Sequence, residues 1–192
     1  MARDEPSHHL HPAALATPAV ALIGSVDAAM VEKLRQVLAD ADDDGDLVIE
    51  MTTQGGDAEL GRRLALDLQQ AAARRRGRLL FLGKTEVYSA GATAMAGVPR
   101  ENRYLTADTM LFIHCRQLSK TLNLEGPLRG NIPKLDQVRR EIDSGLALEE
   151  RGFRQLIAGS DISYEEIDER ALAGWYIEAA EALRRGLVAG VV

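Results

Sequence analysis

Eleven consecutive residues, Val87 to Gly97, constrain this chain more than any other stretch, because seven of them are Ala, Gly or Ser. A segment with so little side-chain volume is useful only where another piece of backbone must come close. It follows the apolar run Leu79-Leu80-Phe81-Leu82, which reads as a buried strand ending at Gly83, with Lys84, Thr85 and Glu86 as a turn. Ser89 stands at the head of the small-residue segment. At a helix start, unpaired N–H groups converge. A hydroxyl there is either an N-cap or a nucleophile beside donors that stabilise developing negative charge. Taken alone, the stretch favours the cap.

The rest of the chain alternates strand and helix signals. Ala19–Ile23 reads as a first strand, and Asp27 caps a helix with Met30, Val31, Leu34, Val37 and Leu38 on one face. The acidic run Asp40 to Asp46 is a solvated turn, and Leu47–Met51 is a second strand. Gly55-Gly56 follows, with a helix over roughly 57–73 that turns Leu60, Leu64, Leu66 and Leu68 inward and closes on Arg74-Arg75-Arg76. Two glycines between strand and helix make a turn whose N–H groups no side chain shields. Thr109–Ile113 is a further strand that ends at His114-Cys115. Residues 121–133 read as a loop, then a long helix runs over about 134–156. Ser160 to Ser163 caps a short helix over 164–172, another spans 178–185, and Leu187-Val188 forms a terminal strand. The alternation predicts an α/β protein with a parallel sheet.

Composition narrows the function. A net charge of −6 argues against a general nucleic-acid binder. One cysteine, Cys115, rules out an intramolecular disulfide and points to a reducing, cytoplasmic setting. Asp4 and Glu5 precede any apolar stretch, which does not suit a secretory signal, and no apolar run is long enough to span a membrane. His8, His9 and His11 sit in a proline-containing arm and read as solvated tail residues, not metal ligands. Cofactors and metals are not expected.

Three signals stand at the ends of three successive strands: Gly55-Gly56, Ser89 and His114. A parallel sheet brings such ends to one edge. Backbone donors, a hydroxyl and an imidazole would meet there, and these are the parts of a serine hydrolase.

From Ala19 to Val188 the chain resembles the ClpP peptidases, the proteolytic subunit of the ATP-dependent Clp protease, within the crotonase superfamily. Met51-Thr-Thr-Gln-Gly-Gly56 looks like the family's Gly-Gly turn. Tyr88-Ser89-Ala90-Gly91-Ala92 looks like its nucleophile segment, and Phe112-Ile113-His114 like its His-bearing strand end. Tyr176 to Val188 resembles its closing motif. The resemblance implies a layered β-sheet with flanking helices and a protruding handle helix at about 134–156. Residues 1–18, with their prolines and histidines, read as a flexible arm that does not resemble the family's axial loops, and 19–192 as a single ClpP-like domain. Ser89 would be the nucleophile, His114 the general base, and the Gly56 and Ala90 N–H groups the oxyanion hole. The implied partners are a peptide or unfolded-protein substrate and further copies of the chain in rings.

The chain departs from the family at several positions. The family's third triad member, an Asp, falls at Gly174, and its Arg neighbour at Ala173. Asp168 or Asp161, from the same region of the chain, or a water molecule could then reach His114. Val48 and Glu50 stand where the family carries tyrosines that help form the pocket for its ATPase partner, which argues against docking an AAA+ unfoldase. The alternative to an active peptidase is a ClpP-like subunit, impaired in catalysis, that serves in assembly or partner binding. Acyl-CoA chemistry, the third reading, lacks its expected carboxylate pair.

Overall fold

The computed structural model describes residues 15–192, and the arm with His8, His9 and His11 falls almost entirely outside the described residues. The strands are β1 (Val20–Ile23), β2 (Leu47–Thr53), β3 (Leu79–Tyr88), β4 (Arg103–Leu105), β5 (Met110–Ile113), β6 (Trp175–Glu178) and β7 (Gly190–Val191). The helices are α1 (Ala28–Asp40), α2 (Ala58–Arg74), α3 (Ala90–Met95), α4 (Leu128–Ile157), α5 (Tyr164–Ala173) and α6 (Ala179–Arg184).

The sheet runs β1-β2-β3-β4-β7, all parallel, and β5 leaves this path to pair with β3 on one side and β6 on the other. β3 is the hinge of this arrangement. Its first half, Phe81–Gly83, pairs with β4, and its second half, Glu86–Tyr88, pairs with β5. Lys84, Thr85 and Glu86 are therefore not a turn between elements. Thr85 takes φ of +59°, and the strand kinks there and continues. A local excursion of this kind looks like a turn in sequence because the apolar pattern stops, but the ladder on the far side restarts the strand.

Both faces of the sheet are covered, which explains the unbroken apolar runs of β2 and β3. Ile49, Met51, Leu79, Phe81 and Val87 lie under the helices in the main core. Val48, Leu80, Leu82 and Tyr104 form a smaller cluster on the opposite face with Leu15. Asp27 caps α1 by accepting from the Met30 N–H at 2.9 Å, as its position predicts. Asp57 caps α2 through the N–H groups of Glu59 and Leu60. Leu66, expected inward, is instead 47% exposed, because the buried stripe of α2 runs through Gly61, Leu64, Ala65, Leu68 and Ala71. Gly61 belongs to that stripe because α3 crosses there: a Cβ on it would stand 2.8 Å from the Ala90 Cβ. This close crossing is what the small-residue stretch is for.

The acidic turn and the basic run, read separately in sequence, are partners. Arg76 bonds Asp44, Arg78 bonds Asp46, and the buried Arg75 side chain donates to the Asp42 and Gly45 carbonyls. α4 begins at Leu128, six residues before the expected start, and carries Pro133 within it. Its first two-thirds leaves Leu128, Ile132, Leu135, Ile142 and Leu146 exposed, while Phe153, Leu156 and Ile157 are buried in the core. The terminal strand lies at Gly190–Val191, just beyond the expected Leu187-Val188, which are buried in the core. β4 and β6 have no counterpart in the sequence reading, being only three and four residues long.

Candidate active site

The Gly-Gly turn is held by Thr53, the last residue of β2. The Gly55 N–H donates to Thr53 Oγ1 at 3.0 Å, and the hydroxyl donates back to the Gly55 carbonyl at 3.3 Å. Both glycines have positive φ, +103° and +152°. A Cβ on Gly55 would fall 2.8 Å from the Ser89 Cβ, so the turn lies directly against the serine. The turn is also tied to the β1–α1 loop, where the Val26 N–H donates to Gly55 and the Asp57 N–H to Val26. These bonds leave the Gly56 N–H without a partner among the described residues.

Ser89 is not a helix cap. Its side chain makes no capping bond, and its backbone takes φ +52° and ψ −112°, a conformation that costs on the order of 1–3 kcal/mol for a residue with a Cβ. The strain is held from both sides. The Ser89 N–H donates to the Phe112 carbonyl at 2.8 Å, and its own carbonyl receives the Thr93 N–H. The sharp turn from strand to helix raises the Ser89 side chain off the end of β3, the same device as the nucleophile elbow of other hydrolases. The next N–H, that of Ala90, has no partner among the described residues.

β3 and β5 are parallel with Tyr88 opposite Phe112, so Ser89 and His114 emerge from adjacent strand ends. Ser89, His114, Gly56 and Ala90 all line one cavity of about 360 Å³. Its far wall is apolar, made of Ile113, Leu148, Phe153 and Leu156. The sequence-predicted site residues are thus brought together. Ser89 Oγ and His114 are not hydrogen-bonded to each other here; such bonds commonly tighten only when substrate is seated.

His114 has a partner on its other ring nitrogen. Nδ1 lies 2.7 Å from the Cys115 carbonyl oxygen. A carbonyl only accepts, so Nδ1 carries the proton and Nε2 is left as the basic nitrogen. Asp161 is instead taken by Arg185, at 2.5 Å, and Asp168 makes no hydrogen bond to the imidazole. Gly174 turns with φ +82° beside the Phe112 ring. The Cys115 thiol is pushed up first by burial and then by the carboxylates of Glu149 and Asp168, so it stays protonated and is no competing nucleophile.

Beside the cavity-lining Arg62 and Arg116, Glu59 receives Arg62 at 2.5 Å and also Arg116. Burial raises the Glu59 carboxyl, but the two guanidinium groups outweigh it and hold it below the ordinary value. No group of three or more His, Cys, Asp or Glu side chains suited to a metal occurs among the described residues.

No family model matches the chain. It is 26% identical over 182 residues to the ATP-dependent Clp protease proteolytic subunit 2 of Pseudomonas aeruginosa, covering 93% of this chain and 83% of that protein. Its fold is similar to that of a ClpP1 point mutant from Listeria monocytogenes, with a TM-score of 0.68, 20% identity and 90% of each chain covered. The chain resembles ClpP proteins in sequence and in fold. Its mixed sheet with flanking helices is the ClpP-like fold that the resemblance implies. Against that background the ClpP motifs at Gly55-Gly56, Ser89 and His114 lie at one edge, and the ClpP aspartate position is a glycine.

Sequence reasoning missed three participants. Thr53 braces the Gly-Gly turn, the Cys115 carbonyl holds the imidazole, and Glu149 of α4 lines the cavity at 9% exposure. A signal for Glu149 was present: it shares the buried face of α4 with Phe153 and Leu156, where a charged residue is out of pattern. No helix among the described residues is long and apolar enough to cross a membrane.

Proposed function

We propose that the chain is a serine endopeptidase of the ClpP type. One observation carries this reading: a single cavity is lined by a strained serine, an imidazole whose Nε2 is free, and two backbone residues whose N–H groups are unengaged. Ser89 Oγ attacks the peptide carbonyl, and His114 Nε2 takes its proton. The Gly56 and Ala90 N–H groups hold the oxyanion, a contribution of roughly 3–4 kcal/mol per donor in the hydrolase template. His114 then gives the proton to the departing amine, and water hydrolyses the acyl-enzyme by the same route. The apolar wall of Ile113, Leu148, Phe153 and Leu156 receives an apolar side chain of the substrate next to the scissile bond.

The exposed apolar residues of the outer part of α4 favour assembly, with this helix as a handle between stacked rings. Glu50 and Lys84 pair at 2.6 Å on the sheet, where the family carries a tyrosine for its ATPase partner, so the peptidase works without an AAA+ unfoldase. It has a cytoplasmic setting and needs no cofactor. The absence, among the described residues, of any carboxylate bonded directly to His114 favours the second reading, a catalytically impaired subunit kept for assembly. A fluorophosphonate probe separates the two. Labelling of the wild type and none of Ser89→Ala supports the peptidase; an unlabelled wild-type chain supports the assembly subunit.

A further inference from the structure

The carbonyl that holds His114 and the N–H that Glu149 binds belong to one peptide unit. His114 Nδ1 donates to the Cys115 oxygen at 2.7 Å, and the Arg116 N–H, on the other side of that same amide, donates to the Glu149 Oε2. Glu149 is buried, comes from the inner end of α4, and lines the same cavity as Ser89 and His114. The Arg116 guanidinium does not neutralise it there, since it reaches instead to Glu59.

We propose that Glu149 is the positioning residue for His114, acting through the Cys115–Arg116 peptide in place of a directly bonded carboxylate. An amide whose N–H is bound by an anion is polarised, and its carbonyl becomes a stronger acceptor. The carboxylate therefore strengthens the bond from Nδ1–H, fixes the tautomer that leaves Nε2 basic, and stabilises the imidazolium formed when Ser89 attacks. No proton passes to Glu149, because the amide N–H keeps its own. The same bond anchors Cys115–Arg116 to α4, so the ring is fixed in place as well as in charge.

This inference rests on the hydrolase reading for its rate consequences but not for its geometry, and the test separates the two. Glu149→Gln keeps an oxygen that accepts from the Arg116 N–H and removes only the charge. Glu149→Leu removes the acceptor. For a wild type that labels at Ser89, peptide hydrolysis by Glu149→Gln falls about tenfold in kcat with KM within twofold. Glu149→Leu falls on the order of a hundredfold, still short of the roughly 10⁴ seen when a directly bonded carboxylate is lost in the protease template. In nitrogen-15 spectra of the full chain, the His114 Nδ1–H proton resonance moves upfield in Glu149→Gln, whether or not the chain hydrolyses anything. An unmoved resonance overturns the proposal, and so does an unchanged kcat in an active enzyme. A wild type that fails to label Ser89 ends the hydrolase reading and leaves the resonance to decide whether Glu149 acts on the ring. If Glu149→Leu does not fold, the Gln variant carries the test alone.

Discussion

Arg103 and Glu149 are both buried ionic side chains bonded to backbone, and they differ in how completely they are surrounded. Arg103, 3% exposed, donates to the carbonyls of Val98 at 2.8 Å, Leu156 at 3.0 Å, Ala96 at 3.1 Å and Leu187 at 3.4 Å. These carbonyls lie at or just beyond the C-terminal ends of α3, α4 and α6, where partial negative charge collects. No carboxylate among the described residues bonds it. Burial lowers its pKa to about 10, which leaves it a cation at neutral pH. Glu149 has one backbone donor, the neighbouring Cys115 thiol and a cavity on its open side. A buried charge satisfied on every side ties elements together; one satisfied on one side, at the wall of a cavity, is available to act on what lies next to it.

The largest effect is expected at Arg103. Arg103→Met leaves several buried carbonyls without donors, and stability falls by about 3 kcal/mol or more. A chain of this size then melts roughly 10 °C lower, measured by calorimetry. A melting point within a degree or two of wild type would erase the distinction drawn between the two residues.

Next comes Gly174→Asp, which puts a carboxylate back at the family's position. Gly174 has φ +82°, and a Cβ there stands 3.0 Å from the Phe112 ring. The substitution costs about 1–3 kcal/mol in stability and does not raise the hydrolysis rate. A rate gain without loss of stability would show that the site is not organised around another carboxylate.

Glu149→Gln follows, with a tenfold loss in kcat, or about 1.4 kcal/mol in the barrier, and little change in melting point. A drop in stability to match would make Glu149 a second Arg103.

The smallest effect concerns a third, partly exposed kind of ion group. Arg185 holds Glu166 below the ordinary carboxylate value through two hydrogen bonds, at 2.6 and 2.9 Å. A carboxyl lowered in the folded state stabilises at pH above its unfolded value, 4.5, and that contribution fades as pH falls below it. Exposure and salt limit it to about 1 kcal/mol or less. Urea midpoints at pH 6 and pH 3.5, compared for wild type and Glu166→Gln, measure it: the variant is the less sensitive to acid.

How much of this was legible in the sequence depends on how local each feature is. Strand ends, the Asp27 cap and each of the signals at Gly55-Gly56, Ser89 and His114 follow from residues within a few positions, and the parallel order of the strands brings the three signals together. The kink at Thr85 has the sequence of a turn because what continues β3 beyond it is its pairing with β5, whose first paired residue is Met110. Ser89 looked like a cap because cap and elbow share residue types, and only φ tells them apart. The pairing of Arg75, Arg76 and Arg78 with the acidic turn bridges about 30 positions. The sequence points to an aspartate as the support for His114. That support comes instead from a main-chain oxygen and a glutamate 35 residues on, contacts that no short motif encodes.

The divided allegiance of β3 bears on how such a chain could be rearranged. One ten-residue strand serves two ladders: the half bearing Phe81 joins β4, and the half leading to Ser89 joins the strand of His114. A break anywhere between the two ladders would leave an open strand edge on each fragment, and neither piece would be self-sufficient. Ser89 and His114 thus fall on the same side of any such break, and a rearrangement there moves them together.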